Sequence, residues 1–549
     1  MGGRQDFSAS RRGTVLILAL LIAIVCINLI FPMLTLLGKS VDYQPFYQGF
    51  FQTLSSGTTR QALWNSCKVT FASSLISTCA AFFFAYVVEL KMKRRRKRLF
   101  RFLAILPMLV PSITHGIVIV YLFGKMGIVT RLLGVQLPIY GPLGIMMGSF
   151  FYAFPLAFLV FSQAFVNLDG RLFESAQVLG VTPVRRFFDI ILPIMKYSVF
   201  SAFSVCFTLI FTDYGIPLSV GGTYPIIPLL FYKNVVGLLD FSKGAIYSTL
   251  ILIPAVIVYL LDVFYFGKHQ VHSAHNLRRV ALGKIHPAQA VPFALLTMVV
   301  LIPVFIILLT PFIRSWPYDV HLTLEHFSRI IRVGALGRLV GNSVLMALLT
   351  GLLGTLIAFV AGYMYVRDQN GIKPMKKLTH GLYLISLAIP GLALGLAFAL
   401  FFKGTPLYGT LWIMIIVNVM HFFGSPYMMV VSHFKLLNPN LEAICHTLGG
   451  KWYHVIFDVI VPNSKKMLLD VFVYFFTNTM ITISAISLLY SSKTMTLALQ
   501  ITAYNDQGTW ESAVAVSLVI LLINVLMKLL QGCRLEHAAV RRARHETTD

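Results

Sequence analysis

About twelve long apolar stretches run through this chain, and they leave few folds open. They cover residues 14–37, 61–88, 102–124, 139–165, 197–217, 243–267, 290–313, 336–366, 378–402, 410–434, 466–490 and 510–531. Each holds about 20 residues or more, enough helix to cross a hydrocarbon core roughly 30 Å thick. Only 12% of the 549 residues are charged and the mean hydropathy is +0.79, so a soluble surface could not be covered. The first stretch is longer than the apolar region of a signal peptide and no small-residue cleavage site is evident, so it reads as a retained helix. The expectation is an all-α membrane protein of about 12 transmembrane helices in two tandem six-helix halves.

Charge placement sets the orientation. The net charge is +25, and its densest run, KMKRRRKRLFR at 91–101, is wedged between two apolar stretches. Excess Lys and Arg beside membrane spans mark cytoplasmic loops, so the basic balance calls for a lipid bilayer and no nucleic acid. The basic segments 268–284 and 367–377 fall on the same side. So do Arg4, Arg11 and Arg12 at the start and Arg534, Arg541, Arg542 and Arg544 at the end. Both termini are therefore expected in the cytoplasm. Cys26, Cys67, Cys79, Cys206, Cys445 and Cys533 are scattered without CxxC spacing, so neither a disulfide framework nor a metal site is expected.

The chain also repeats. Asn65-Ser66 precedes Tyr86 by 21 residues, as Asn342-Ser343 precedes Tyr363. Pro111-Ser-Ile-Thr-His-Gly116 returns as Pro390-Gly-Leu-Ala-Leu-Gly395, and Gly180 and Pro193 lie 13 apart, as do Gly449 and Pro462. Paired positions are offset by 277, 279 and 269 residues, one register with small insertions. Six spans per half give both halves the same orientation, related by an axis along the membrane normal. The expected division is a first half at 1–267, a cytoplasmic linker at 268–289, a second half at 290–533 and a cytoplasmic tail at 534–549. The linker histidines His269, His272, His275 and His286 lack a fixed ligand geometry and read as a solvated loop.

Two matching loops connect spans four to five and ten to eleven, at 167–193 and 438–462. Each reads as a cap, a short helix, a glycine stop and a second helix entering the membrane. Asp169 and Asn440 fit N-caps, Gly180 and Gly449 fit left-handed C-terminal turns, and Thr182-Pro183 fits a second cap with proline at the first helical position. A helix of about two turns is unstable alone in water and needs a partner surface.

These loops resemble the EAA motif of ABC importer permeases, where Glu-Ala-Ala, three residues and then Gly mark a coupling helix docked on a separate nucleotide-binding subunit. The first copy keeps Glu174-Ser175-Ala176 with Gly180 six residues after the glutamate. The second departs from it: counting back from Gly449 puts Ala443 at the glutamate position and Glu442 one residue earlier, about 100° around a helix. The resemblance spans roughly 60–265 and 335–530 and implies a type I, binding-protein-dependent permease of the inner membrane. It implies that Glu174, Ala176, Leu179, Gly180 and Pro193 couple to an ATPase in the first loop, and Glu442, Ala443, Leu448, Gly449 and Pro462 in the second. It also implies as partners two ATP-binding-cassette subunits and an extracytoplasmic binding protein. No GxxxxGK[ST] loop occurs, so ATP and Mg belong to the partner subunits, and this chain is expected to hold no cofactor and no catalytic or metal-binding residue.

The segment FTDYGIPLSVGG at 211–222 resembles the D-F-G-x-P-L segment of permeases for ferric iron, 2-aminoethylphosphonate and thiamine. Its counterpart, 478–492, is closest to the phosphonate and iron branches. Asp213 is an ionisable group at membrane depth, costing about 2.5–3.5 kcal/mol at a helix centre, and so is either a path residue or a group paired near the outer interface. Asp213, Gly215 and Pro217, with Thr482, Ser484 and Ser487, are expected to line a translocation path, the two segments facing each other as helices. Lys68, His115 and His421 read as a snorkelling lysine and core histidines. A secondary transporter would need charged coupling residues in both halves, yet the position matching Asp213 at the 269 offset is Thr482. A membrane enzyme would need a paired-carboxylate, metal or nucleophile constellation, and none is present.

Overall fold

The computed structural model describes residues 3–41, 46–261, 285–332, 335–368 and 372–546. These are overwhelmingly helical; the strands found among them are a short antiparallel hairpin, Ile313–Ser315 with Asp319–Leu322. The all-α expectation holds. Among the described residues nine helices are long and apolar enough to cross a membrane, and a bent pair makes a tenth.

The difference from twelve has local causes. The pair is Leu411–Phe422 and Gly424–Leu436, meeting at 54°. Pro426 cannot donate a helical hydrogen bond, and its ring crowds the carbonyl four residues back, at Phe422. Stretch 378–402 is broken at Pro390, which leaves helix Gly391–Phe401 only 11 residues long. Its equivalent in the first half breaks at Pro111, with Val110 pushed to an extended φ/ψ of −124°/155° as a residue before proline must be. Stretch 466–490 is helical only as far as Ile481, and helix Val461–Ile481 carries Lys465, Lys466 and Asp470.

Of the expected linker, residues 268–284, with His269, His272 and His275, lie outside the described residues. His286 is described: its Nδ1 accepts the Ala288 N–H at 3.3 Å and caps helix Pro287–Leu309. Residues of the expected tail continue helix Trp510–Glu546.

Packing divides the chain differently from its sequence repeat. One compact unit joins residues 1–39 to 334–499 and 520–549; the other joins 40–333 to 500–519. The first helix of each half is thus packed in the unit of the other half. Helix Gly3–Val25 lies on Lys373–Ile385 and Ala335–Val366, where the Tyr383 hydroxyl donates to Leu21 O at 3.3 Å. Helix Pro287–Leu309 lies on Gly57–Lys91, with Phe293 tilted 4.8 Å from Phe84.

In lipid, apolar burial against a neighbouring helix gains little over burial against acyl chains, so close packing must hold the helices. In the unit built on residues 40–333, Ala81, Ala85, Ala153 and Ala157 are fully buried where helix Gly57–Lys91 meets Pro142–Val166, letting the two approach. Phe84, Phe154 and Phe158 fill the space beside them in edge-to-face contacts at 5.5 and 5.6 Å.

The repeated Asn-Ser pair has one job in both halves. Asn65 Nδ2 donates to Pro225 O at 3.0 Å and Ser66 Oγ accepts the Ile227 N–H at 3.0 Å. Asn342 Nδ2 donates to the Lys493 and Met495 carbonyls, both at 2.9 Å, and Ser343 Oγ accepts the Leu497 N–H at 2.8 Å. Each pair pins a non-helical connection to the start of a long helix, satisfying backbone groups that the helices leave unpaired.

Candidate functional site

The two loops fold as matching chains of elements. In the first, the Asp169 carboxylate accepts the Arg171 N–H at 3.0 Å and caps helix Gly170–Val178. The helix ends at Gly180, φ +68°, with the Val181 N–H reaching back to Ala176 O at 2.9 Å. This left-handed close is the conformation a glycine is needed for. Thr182 then caps Pro183–Arg186, and a π-helical turn, Phe187–Ile191, leads into helix Leu192–Phe211 with Pro193 in its first turn.

In the second loop, helix Leu441–Thr447 ends at Gly449, φ +78°. A short turn, Trp452–His454, and a π-helical segment, Val455–Ile460, lead into helix Val461–Ile481 with Pro462 in its first turn. Asn440 precedes the helix as expected, but it is the Asn438 carboxamide oxygen that accepts the Asn440 N–H, at 2.9 Å. Paired π-segments before paired prolines repeat an uncommon backbone feature, one that is frequent at functional sites.

Side chains divide by face. Ala176 is buried, Glu174 is exposed, and Leu179 is 79% exposed; in the second loop Ala443 is exposed and Leu448 is 82% exposed. Each loop thus holds out a leucine just before its left-handed glycine. Glu442 is paired within the chain: Arg367 Nε donates to Glu442 Oε1 at 2.6 Å, the Arg367 Nη2 pairs with Oε2, and the side chains of Arg367 and Glu442 are 7% and 18% exposed.

The segments expected to line a path each have their own geometry. Helix Leu192–Phe211 stops before Asp213, whose Oδ2 accepts the Ile216 N–H at 3.0 Å at the start of a separate short helix, Gly215–Val220. Asp213 is half-buried, and its carboxylate also bonds Ser112. Gly215 and Pro217 open the short helix rather than break a long one. Thr482, Ser484 and Ser487 are not helical either: helix Val461–Ile481 ends at the residue before Thr482, which is extended, and 484–489 is a run of turns, with Ser487 N–H on Ile483 O at 3.0 Å. Both segments press on a helix that starts after a repeated proline. A Cβ on Gly116 would lie 2.8 Å from Ser219 Cβ, and one on Gly395 would lie 2.7 Å from Ala485 O. His115, fully buried, bonds Pro107 O through Nε2 at 3.0 Å, a core histidine as expected.

Residues 77–271 and 354–533 each match the family of binding-protein-dependent transport system inner membrane components. The chain belongs to this family.

The permease is similar to other transport permeases, two of them along most of its length. A ferric transport system permease protein of Actinobacillus pleuropneumoniae is 23% identical over 498 residues, 86% of this chain and 70% of the relative. A putative ferric transport system permease protein of Haemophilus influenzae is 22% identical over 470 residues, 81% of this chain and 73% of the relative. A probable sulfate transport system permease protein of Nephroselmis olivacea is 23% identical over 251 residues, 86% of that relative but 44% of this chain. The two tandem halves of an all-α, type I importer permease are thus present, and the chain is a multi-pass membrane transport subunit.

The permease also carries a repeated charged clasp that its sequence did not announce. Lys97 Nζ donates to Glu89 O at 2.5 Å and lies 3.2 Å from Glu89 Oε2. Lys376 Nζ pairs in the same way with Asp368 O and lies 3.0 Å from Asp368 Oδ2. Both members sit at the 279 offset, so carrying that register over to the charged residues would have found the clasp. In the first half Arg101 adds a forked pair to Glu89, and Ser162 Oγ donates to it at 2.7 Å. In the second, Thr14 of the first helix donates to Asp368 at 3.4 Å.

Proposed function

We propose that this permease forms the translocation path of an ATP-driven importer for ferric iron presented by an extracytoplasmic binding protein. Two separate ATPase subunits would bind its two loops, one at each. The observation that carries the coupling role is the duplicated loop: short helix, left-handed glycine, π-helical turn and proline, each copy holding out a bare leucine at Leu179 or Leu448. Neither leucine is alone: Val178 and Val184 are also exposed in the first loop, and Ile444 and Trp452 in the second, and apolar surface gathered in this way marks a place that a partner covers. On this reading the loops, both termini and the basic segments face the cytoplasm, in agreement with the positive-inside rule. Glu174, Ala176 and Gly180 with Ala443 and Gly449 set the docking geometry, while Pro193 and Pro462 begin the helices that carry motion into the membrane.

The iron assignment rests on the relatives that align across both halves, which are named for ferric transport, whereas the sulfate-named relative aligns with a length close to one half. Proteoliposomes holding the permease, its ATPase and its binding protein are expected to accumulate radiolabelled iron from the ferric-loaded binding protein on ATP addition. Labelled 2-aminoethylphosphonate should stay outside. ATP-driven uptake of the phosphonate in place of iron would reassign the cargo while leaving the coupling role intact.

A further inference from the structure

We infer that Arg367 is a positioning residue for coupling, a latch that ties the second loop to the end of helix Ala335–Val366. This rests on the loops being the ATPase docking elements. Arg367 directly follows the helix, and its own N–H bonds back to Tyr363 O at 2.8 Å, so its side chain starts from a fixed point. Its guanidinium then takes four acceptors, three on the loop and one on the residue before it. Two are the Glu442 carboxylate oxygens; the others are Leu437 O, 3.1 Å from Nη1, and Asn438 O, 2.9 Å from Nη2. A planar five-donor fork fits such a set, and a lysine could not reproduce it. Glu442 lies in the first turn of helix Leu441–Thr447, where a negative charge is favoured, so Arg367 fixes both the residues leading into the helix and the helix start.

The latch explains the departure of the second loop from the motif it resembles. A carboxylate committed to Arg367 serves inside the chain, and the surface left for a partner is Ala443, Ile444 and Leu448, all exposed. The matching position of the first half holds no arginine. Aligned on Tyr86 the position matching Arg367 is Leu90, and aligned on Glu89 it is Val88, and neither side chain can donate. Next to Arg367, Asp368 holds Lys376 and Thr14, so the second loop, helix Lys373–Ile385 and the first helix of the chain meet at one corner. The second loop therefore moves with its own unit as a fixed body.

The test compares Arg367→Met, Arg367→Lys, Glu442→Gln, the double variant and the charge swap Arg367→Glu/Glu442→Arg, all in the full chain. Amide hydrogen exchange over 438–447 in the purified permease reads the latch, and ATP-driven transport with the partner ATPase reads coupling. Met, Lys and Gln variants should each exchange about tenfold faster there and lose transport, with the double variant no worse than either single. The swap restores the ion pair but not the donations to Leu437 O and Asn438 O, so it should slow exchange and recover transport only in part. Unchanged exchange in Arg367→Met overturns the latch. Glu442→Gln that loses transport while Arg367→Met keeps it also overturns the latch, since the carboxylate would then act on the partner. Faster exchange with transport intact instead overturns the docking role of the loop, and with it the positioning role of Arg367.

Discussion

Gly180→Val and Gly449→Val are each expected to cut ATP-driven transport by at least an order of magnitude, with the protein still inserted in the membrane. Both glycines sit in the left-handed region, φ +68° and +78°, at the close of a loop helix. That conformation costs an ordinary residue about 1–2 kcal/mol, and a β-branched side chain more. A cost near 1.4 kcal/mol already shifts an equilibrium about tenfold. No atom lies within 4 Å of the Cβ position at either glycine, so the penalty comes from the backbone turn and not from a clash. Asparagine, which tolerates left-handed backbone, should therefore retain most activity where valine fails. Uptake normalised to permease in the membrane checks this. Valine variants that match the wild type would remove the turn from the mechanism.

The largest effect on stability is expected at the clasp of the first half. Glu89 has a side chain only 1% exposed and is held by Arg101, Lys97 and Ser162. Arg101→Met removes the forked partner and leaves a buried carboxylate with one partly exposed lysine and the Ser162 hydroxyl, which should destabilise by about 3 kcal/mol, the lower end for breaking a buried pair. Glu89→Leu should cost less, because Arg101 and Lys97 are 39% and 26% exposed and can turn to water. Thermal unfolding of the purified protein in detergent gives the order: wild type, Glu89→Leu, Arg101→Met. The reverse order would mean that the carboxylate is better solvated than its burial implies.

What the sequence made legible followed from short-range chemistry. Apolar runs located the membrane segments, and the caps and glycines of the loops placed Gly170–Val178 and Leu441–Thr447, because each signal acts within one helical turn. Helix ends inside apolar runs were not legible. After Ile481 the residues Ile483, Ala485 and Ile486 are as apolar as a helix would need, so hydropathy could not separate turns from helix. Pro111 and Pro390 were visible as repeated residues, yet their effect was to split spans that the apolar runs had joined. The exchange of first helices between units depends on which surfaces meet, and no local pattern encodes that. Arg367 and Glu442, 75 residues apart, belong to the same class: the sequence showed a displaced glutamate, and only the fold shows what it binds.

The proposed division of labour gives this chain the path and the docking loops and gives other subunits the hydrolysis. It is tested most directly by measuring ATP hydrolysis and subunit ratio together, on the purified permease and on its complex with the partner ATPase. The permease alone is expected to hydrolyse no ATP, since it has no phosphate-cradling loop. The complex should contain two ATPase subunits per chain, with hydrolysis stimulated by the loaded binding protein and that stimulation lost in Gly180→Val. Hydrolysis by the isolated chain, or a complex that keeps full stimulation when both loop glycines are replaced by valine, would contradict it.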